Sequence, residues 1–419
     1  MSRRPLLILG LAFLLGCGRA DDGVVRFWAM GREGEVVQEL VRDFEAQNPG
    51  VRVEVQQIPW SAAHEKLLTA YVGGAVPDLA QLGNTWIAEF AALDALAPWD
   101  DHLAASGIDP ADQFPGVWET NKVDGTLYGV PWYVDTRLIF YRSDLLAAAG
   151  FPQPPRTWAA WRAALEALSR DKERGPWGAY LPLNEWALPV ILGLQNGASL
   201  LADHATRGAF TAPEFRGAFD WLLDLYDDGL APVTAAGTIA NMYQEFERGT
   251  FAMVVTGPWN LGEFKRRLPA AMDGAWATAP MPGPDGPGAS LAGGSSLVVF
   301  RDAKHADAAR RLAAYLSQPE QQARFYELTG DLPAHRGAWP LAGLEAAPRV
   351  AAFRAQLERA EPTPVIPEWE QIADLVWRAT EAAARGAVTR DEALTRLDRQ
   401  VDDVLEKRRW LRERREVAP

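Results

Sequence analysis

Flat rings and planar polar groups recur where apolar runs give way to turns: Glu33, Trp60, Asn84, Tyr133, Asp135, Arg137, Trp259, Arg336 and Trp369. A pyranose ring offers C–H faces that lie on Trp or Tyr, and hydroxyls that pair with carboxylates, amides and guanidinium groups. Reversible capture of such a ring needs no nucleophile, metal or cofactor. Taken singly, each of these residues also has a plain structural role: Trp60 and Trp259 as core plugs, Asp135 with Arg137 as a surface pair, Asn84 as a helix cap. Their recurrence beyond strand ends carries the joint reading, because open α/β sheets bind ligands past the carboxyl ends of their strands.

Other chemistries find little footing. The histidines His64, His102, His204, His305 and His335 form no HxH or HExxH pattern, and Cys17 is the single cysteine, so no metal site is expected. Gly293-Gly294-Ser295-Ser296 lacks the spacing of a serine elbow and reads as a tight backbone turn whose amides face a ligand. No phosphate-cradling loop with a Lys behind it occurs. Glycoside hydrolysis needs two carboxylates about 5–10 Å apart, a pairing that a sequence does not supply. The net charge of −13, from 42 basic and 55 acidic residues, argues against nucleic acid.

The elements that must position these groups follow from periodicity. Val24–Trp28 reads as a strand entering a Gly-flanked loop, Met30–Gly34, and a helix then buries Val36, Val37, Leu40, Val41 and Phe44. Val51, Val53 and Val55 alternate as a second strand, Ser61 is placed to cap a helix, and Pro77–Leu82 is a third strand leading to a helix at Asn84-Thr85-Trp86. This alternation predicts a doubly wound α/β lobe. Leu127–Arg142 reads as one strand. Thr157 precedes a helix, and Thr211 with Glu214 and Thr389 with Glu392 spell capping boxes. Short strands are expected at Phe251–Val255 and Leu297–Phe300, and Glu406–Glu416 is a mixed-charge, solvated helix. About four hundred residues exceed what one core serves, so two domains are expected.

The amino terminus sets the compartment. Arg3 and Arg4 precede the apolar run Pro5–Leu15 and Gly16-Cys17, the pattern of a secretory signal peptide over residues 1–16. Leu14-Leu15-Gly16-Cys17 resembles the bacterial lipoprotein box, which would acylate Cys17 and anchor the chain to a membrane. No later apolar run approaches the roughly 20 residues of a membrane helix.

The segment Leu127-Tyr128-Gly129-Val130-Pro131-Trp132-Tyr133-Val134-Asp135-Thr136-Arg137-Leu138-Ile139-Phe140-Tyr141-Arg142 resembles the hinge of family 1 extracellular solute-binding proteins, the sugar receptors of bacterial ABC importers. Pro155-Arg156-Thr157-Trp158, Gln81–Trp86, Thr256–Asn260, Gly293–Ser296 and Gly330–Arg336 match in family order, so the likeness covers essentially the whole mature chain. It implies two α/β lobes joined by a three-segment hinge, with the chain crossing near Val134–Thr136, Leu291–Gly293 and Leu332–Ala334. The lobes would comprise residues 17–134 with 292–333, and 135–291 with 334–419. The resemblance implies that Tyr133, Asp135, Trp259 and the Gly293-Gly294-Ser295 turn contact sugar, with Glu33 and Asn84 at the mouth of the first lobe; Trp60, Arg336 and Trp369 join them on position and residue type. Relatives in the maltose/trehalose branch often carry an acid near Asn84, so hydroxyl pairing there is expected to differ. The expectation is a monomeric, non-enzymatic, lipid-anchored receptor, periplasmic or on the outer cell surface. It would take a mono- or oligosaccharide with high affinity, a glucoside-type disaccharide foremost, and deliver it to an ABC permease without a cofactor. A same-fold receptor for a polyamine or a glycerol phosphate, and a secreted glycoside hydrolase, are the alternatives.

Overall fold

The computed structural model describes residues 23–170 and 177–417. The signal segment and Cys17 lie outside the described residues. The principal strands, in chain order, are β1 (Val24–Met30), β2 (Arg52–Ile58), β3 (Leu79–Gly83), β4 (Gly129–Asp135), β5 (Leu138–Arg142), β6 (Ala179–Tyr180), β7 (Met253–Thr256), β8 (Trp276–Ala279), β9 (Gly293–Val299) and β10 (Leu332–Pro333). They form two separate sheets, ordered β10-β4-β9-β3-β1-β2 and β8-β5-β7-β6.

In the first sheet β1 pairs in parallel with β2 and β3, as strand–helix–strand connections require. The returning β9 then inserts antiparallel between β3 and β4. Alternation on β1 sends Val25, Phe27 and Ala29 into a core shared with Val37, Leu40, Val41 and Phe44 of the helix Gly31–Gln47. The second sheet packs against helices that bury Trp161, Leu165, Phe215, Phe219, Leu222 and Ile372. A further cluster, holding Phe114, Val134, Leu332 and Phe140, spans the region where the chain passes between sheets.

Leu127–Arg142 is not one strand. β4 ends at Asp135 in the first sheet, Thr136 and Arg137 cross, and β5 begins at Leu138 in the second. Uniform apolar character hides the break, since both strands are buried on both faces. The chain returns to the first sheet at Gly293, and β10 joins that sheet before the chain leaves it at Ala334. All three passages adjoin the residues singled out from sequence.

Local signals fared unevenly. Thr157 caps its helix by accepting from Ala160 N, and Thr389 with Glu392 forms the complete capping box. Thr211 caps nothing: Pro213 opens that helix, and the Thr211 hydroxyl and amide are both drawn to Asp398. Ser61 lies inside a helix, Trp60–Val72, entered from Pro59 without a side-chain cap. The expected loop at Met30–Gly34 is absent, because the helix starts at Gly31, where φ is +49°. Strand and helix thus join without a linker, an abrupt turn that glycine allows.

Candidate functional site

Between the two sheets lies a cleft of about 480 Å³, within the usual range for small-molecule sites. Its floor is formed where the chain crosses, by Val134, Asp135, Leu291, Ala292, Gly293, Gly294 and Asp331. The structure brings ten of the twelve singled-out residues to its walls.

Glu33 reaches the cleft from the first turn of its helix and is buried despite its charge. Its Oε1 accepts from the Tyr133 hydroxyl at 2.9 Å. Ser295 Oγ donates to that hydroxyl at 3.0 Å, and Gln81 Nε2 donates to it at 3.1 Å. Gln81, fully buried, is fixed in turn by accepting from Met30 N at 2.8 Å. Burial first, and then the Glu33 carboxylate, raise the Tyr133 phenol well above its ordinary pKa, so it keeps its proton and remains a donor to Glu33. A network this closed aims Glu33 at the cleft and limits its rotation.

Asp135 and Arg137 follow on the first crossing, with Arg137 Nη1 donating to Asp135 Oδ1 at 3.2 Å. The same guanidinium lies over the Trp259 ring, 4.4 Å from its centroid. Trp259 stands at the start of the helix Trp259–Arg267 and keeps 44% of its surface exposed. Its ring lies so close to Gly257 that a Cβ there would sit 1.9 Å from it. On the opposite wall Trp60 is 38% exposed, packed edge-on against Trp86 at 5.8 Å. Two large rings therefore face open space from different sides, although each could be buried.

Gly293-Gly294 is not the expected tight turn: both residues open β9, paired with Asp135 and Val134, and contact dictates glycine there. A Cβ on Gly293 would lie 2.1 Å from Asp135 Oδ1, and Gly294, at φ +132°, would place one 2.2 Å from Tyr133 O. Only glycine lets β9 approach β4 this closely, and the pairing slips register between Ser295 and Ser296. Asn84 donates its amide to Ala292 O at 2.8 Å, tying the first sheet's helix start to the second crossing.

Two assignments fail. Trp369 is fully buried, and Trp186 stacks edge-on to it at 5.5 Å and takes the place on the cleft wall. Helical periodicity put Trp369 with Ile372, Ala373 and Val376 in the core, leaving its neighbour Glu370 on the cleft. Arg336 lies away from the cleft, donating to Glu358 at 2.8 Å and to Ala111 O at 3.2 Å.

Sequence reasoning also missed Asp331. Its carboxyl lines the cleft beside Glu33 and Asp135; burial, and then Glu33, push its pKa up to about 7. Near neutrality it is therefore both donor and acceptor. The Gly330–Arg336 motif contained it, but nothing local marks its carboxyl as buried beside Glu33. Among the described residues no group of His, Cys, Asp and Glu is placed to hold a metal ion.

Comparison with known proteins places this architecture. The family model of bacterial extracellular solute-binding proteins matches residues 29–323. The sugar-binding protein MalE from the phytopathogen Xanthomonas citri is 50% identical, with a TM-score of 0.90 over 93% of this chain and 99% of that one. A binding protein of Brucella abortus (strain 2308) is 27% identical over 414 residues, covering 96% of this chain and 98% of its own. The diacetylchitobiose binding protein DasA of Streptomyces coelicolor is 24% identical over 395 residues, 89% of this chain and 91% of that one. The chain belongs to the bacterial extracellular solute-binding protein family, whose members bind substrates rather than transform them.

Proposed function

We propose that this protein is an extracytoplasmic receptor that captures a mono- or oligosaccharide, a glucoside-type disaccharide foremost, and delivers it to an ABC permease. One observation carries the reading: Trp259 and Trp60 stay 44% and 38% exposed on a cleft edged by Glu33, Asn84, Asp135 and Asp331. Rings would lie against the sugar's C–H faces while the acids and amide take its hydroxyls. The solved relative MalE of X. citri, described as sugar-binding, supports the same solute class.

Capture works by closure. The lobes, residues 17–134 with 292–333 and 135–291 with 334–419, would each hold part of the sugar, so ligand binds the closed arrangement more tightly and shifts the population toward it. The three crossings serve as hinge. Residues 1–16 act as signal peptide and Cys17 as lipid anchor, holding a monomer at the periplasmic or outer face of a membrane. No cofactor takes part.

The rivals fit the cleft less well. A glycerol phosphate calls for several cations, whereas Arg137 is the one cationic residue on the described cleft wall and already serves Asp135 and Trp259. A polyamine would use the carboxylates but leave the exposed rings without a role. A hydrolase would show turnover. A thermal-shift screen of the mature protein decides among these, since ligand at 100 times its Kd stabilises by about 2.7 kcal/mol. A mono- or disaccharide should raise the Tm with no product formed. A rise with spermidine or a phosphate ester, and with no sugar, overturns the reading.

A further inference from the structure

A file of rings runs from the cleft wall into the core of the first half. Trp60 meets Trp86 edge-on at 5.8 Å, and the His64 ring lies 5.1 Å from Trp86. His64 then meets Phe90 edge-on at 6.1 Å, and Phe90 meets Phe300 in the same way. Trp60 and Trp86 line the cleft, whereas Phe90 and Phe300 are fully buried. Spacing explains the file. Trp60 and His64 stand four apart on the helix Trp60–Val72, and Trp86 and Phe90 stand four apart along the turn Asn84–Trp86 and the helix Ile87–Ala92.

His64 is the one titratable ring in this file, and it is tied. Its Nε2 donates to Glu89 Oε2 at 2.6 Å, since a carboxylate can only accept. That bond joins the two helices whose starts carry Trp60 and Trp86. The two side chains keep 34% and 27% of their surface exposed, so the pair exchanges protons with water. The hydrogen bond to Glu89 raises the His64 pKa above its ordinary 6.5; burial opposes the rise, and the charges of Glu89 and Glu370 add to it. Among the described residues these two acids are the charged groups that face His64 from other elements. Glu89 comes from the helix Ile87–Ala92, and Glu370 from the helix Trp369–Ala384, which packs against the Asn84–Trp86 turn. On its own helix Glu65 is exposed, and Lys66 lies over the Trp28 ring at 5.0 Å.

We propose that His64 is a positioning residue of the sugar site: its ion pair with Glu89 fixes the Trp86–Trp60 wall, and loss of the His64 proton loosens that wall and weakens sugar binding. The proposal rests on the sugar-receptor reading. His64 does not itself line the cleft, so its effect passes through Trp86. A wall already ordered costs less to fix around a ligand. The charged pair orders the wall and sugar binds the ordered wall better, so proton and sugar favour each other. Affinity is therefore highest below the His64 pKa and falls as pH rises through it. A partly exposed ion pair corresponds to a change of about two- to fivefold in Kd.

The test measures Kd for a sugar by calorimetry on the full mature chain and on His64→Gln, from about pH 5.5 to 9. Gln keeps a donor for Glu89 but does not titrate. Asp331 titrates in both proteins and cancels in the ratio of their Kd values. The advantage of the wild type should be about two- to fivefold larger at the acid end than at the alkaline end. By reciprocity, sugar should raise the midpoint of the His64 imidazole titration, followed by NMR, by about 0.3–0.7 pH unit. A Kd ratio that stays constant with pH, or a His64 midpoint that sugar leaves unmoved, marks a purely structural contact and overturns the proposal. If the wild type binds no sugar at any pH, the receptor reading has failed, and the wall is read in the ligand-free chain by near-UV circular dichroism. The tryptophan signal should then change through the His64 titration in the wild type and not in His64→Gln, and identical pH profiles overturn the positioning role.

Discussion

Replacing Asp331 with Asn removes a titrating group from the cleft while keeping its shape, and its effect on stability can be worked out with its sign. In the folded chain burial, aided by Glu33 and Asp135, raises the Asp331 pKa from the ordinary 3.8 to about 7. The folded state therefore holds a proton that the unfolded state gives up. Stabilisation from this site is fully present below pH 3.8 and is lost as pH rises through 7. At about 1.36 kcal/mol per pH unit the loss amounts to about 4 kcal/mol, an upper value because water in the cleft screens the charges. Asp331→Asn has no such slope. Chemical denaturation of both proteins at intervals from pH 4 to 9 should show the variant gaining on the wild type up to about pH 7, with a plateau beyond. Parallel stability profiles, or a wild type that gains on the variant as pH rises, would refute the assignment of a raised pKa to this carboxyl.

The two tryptophan environments give a second contrast. Trp259→Ala, at an exposed ring, should weaken sugar binding at least tenfold with little change in Tm, whereas Trp369→Ala should destabilise by about 3–5 kcal/mol. Calorimetry and denaturation on both variants check this, and equal stability losses would contradict it. Gly294→Ala should cost more than about 2 kcal/mol and broaden the register of β9 on β4, read by hydrogen exchange at Val134 and Ser295, because its Cβ meets Tyr133 O. Thr389→Ala should cost about 1 kcal/mol in thermal denaturation through its capping box, while the same change in the Glu214 partner of the false box at Thr211 should cost less.

Much of this was legible in the sequence where the signal is local. The alternation of Val51, Val53 and Val55, and the helical spacing from Val37 to Phe44, identify elements because burial of one face imposes their period. Glycines at 293 and 294 read as a tight turn, whereas they open a strand packed closely on β4. What the sequence hid is decided between distant residues. Thr211 and Thr389 look alike, yet Asp398 reaches Thr211 from 187 positions away and claims its hydroxyl. Trp186 and Trp369 are the same residue type, and only the packing of the helix Trp369–Ala384 determines which of them lies on the cleft. Gln81 and Asp331 escaped notice for the same reason: their importance lies in Tyr133 and Glu33, far along the chain. The break between β4 and β5 left no mark in the periodicity, because a crossing buried at both ends needs no turn residues; the family resemblance alone pointed to a crossing near Val134–Thr136.

A crystal structure of the mature protein grown with the sugar that most raises its Tm would test the central claim directly. Density for that sugar is expected between the Trp60 and Trp259 rings, with its hydroxyls on Glu33, Asp135 or Asp331. Sugar bound elsewhere on the molecule, or a cleft left to solvent at saturating sugar, would contradict the account.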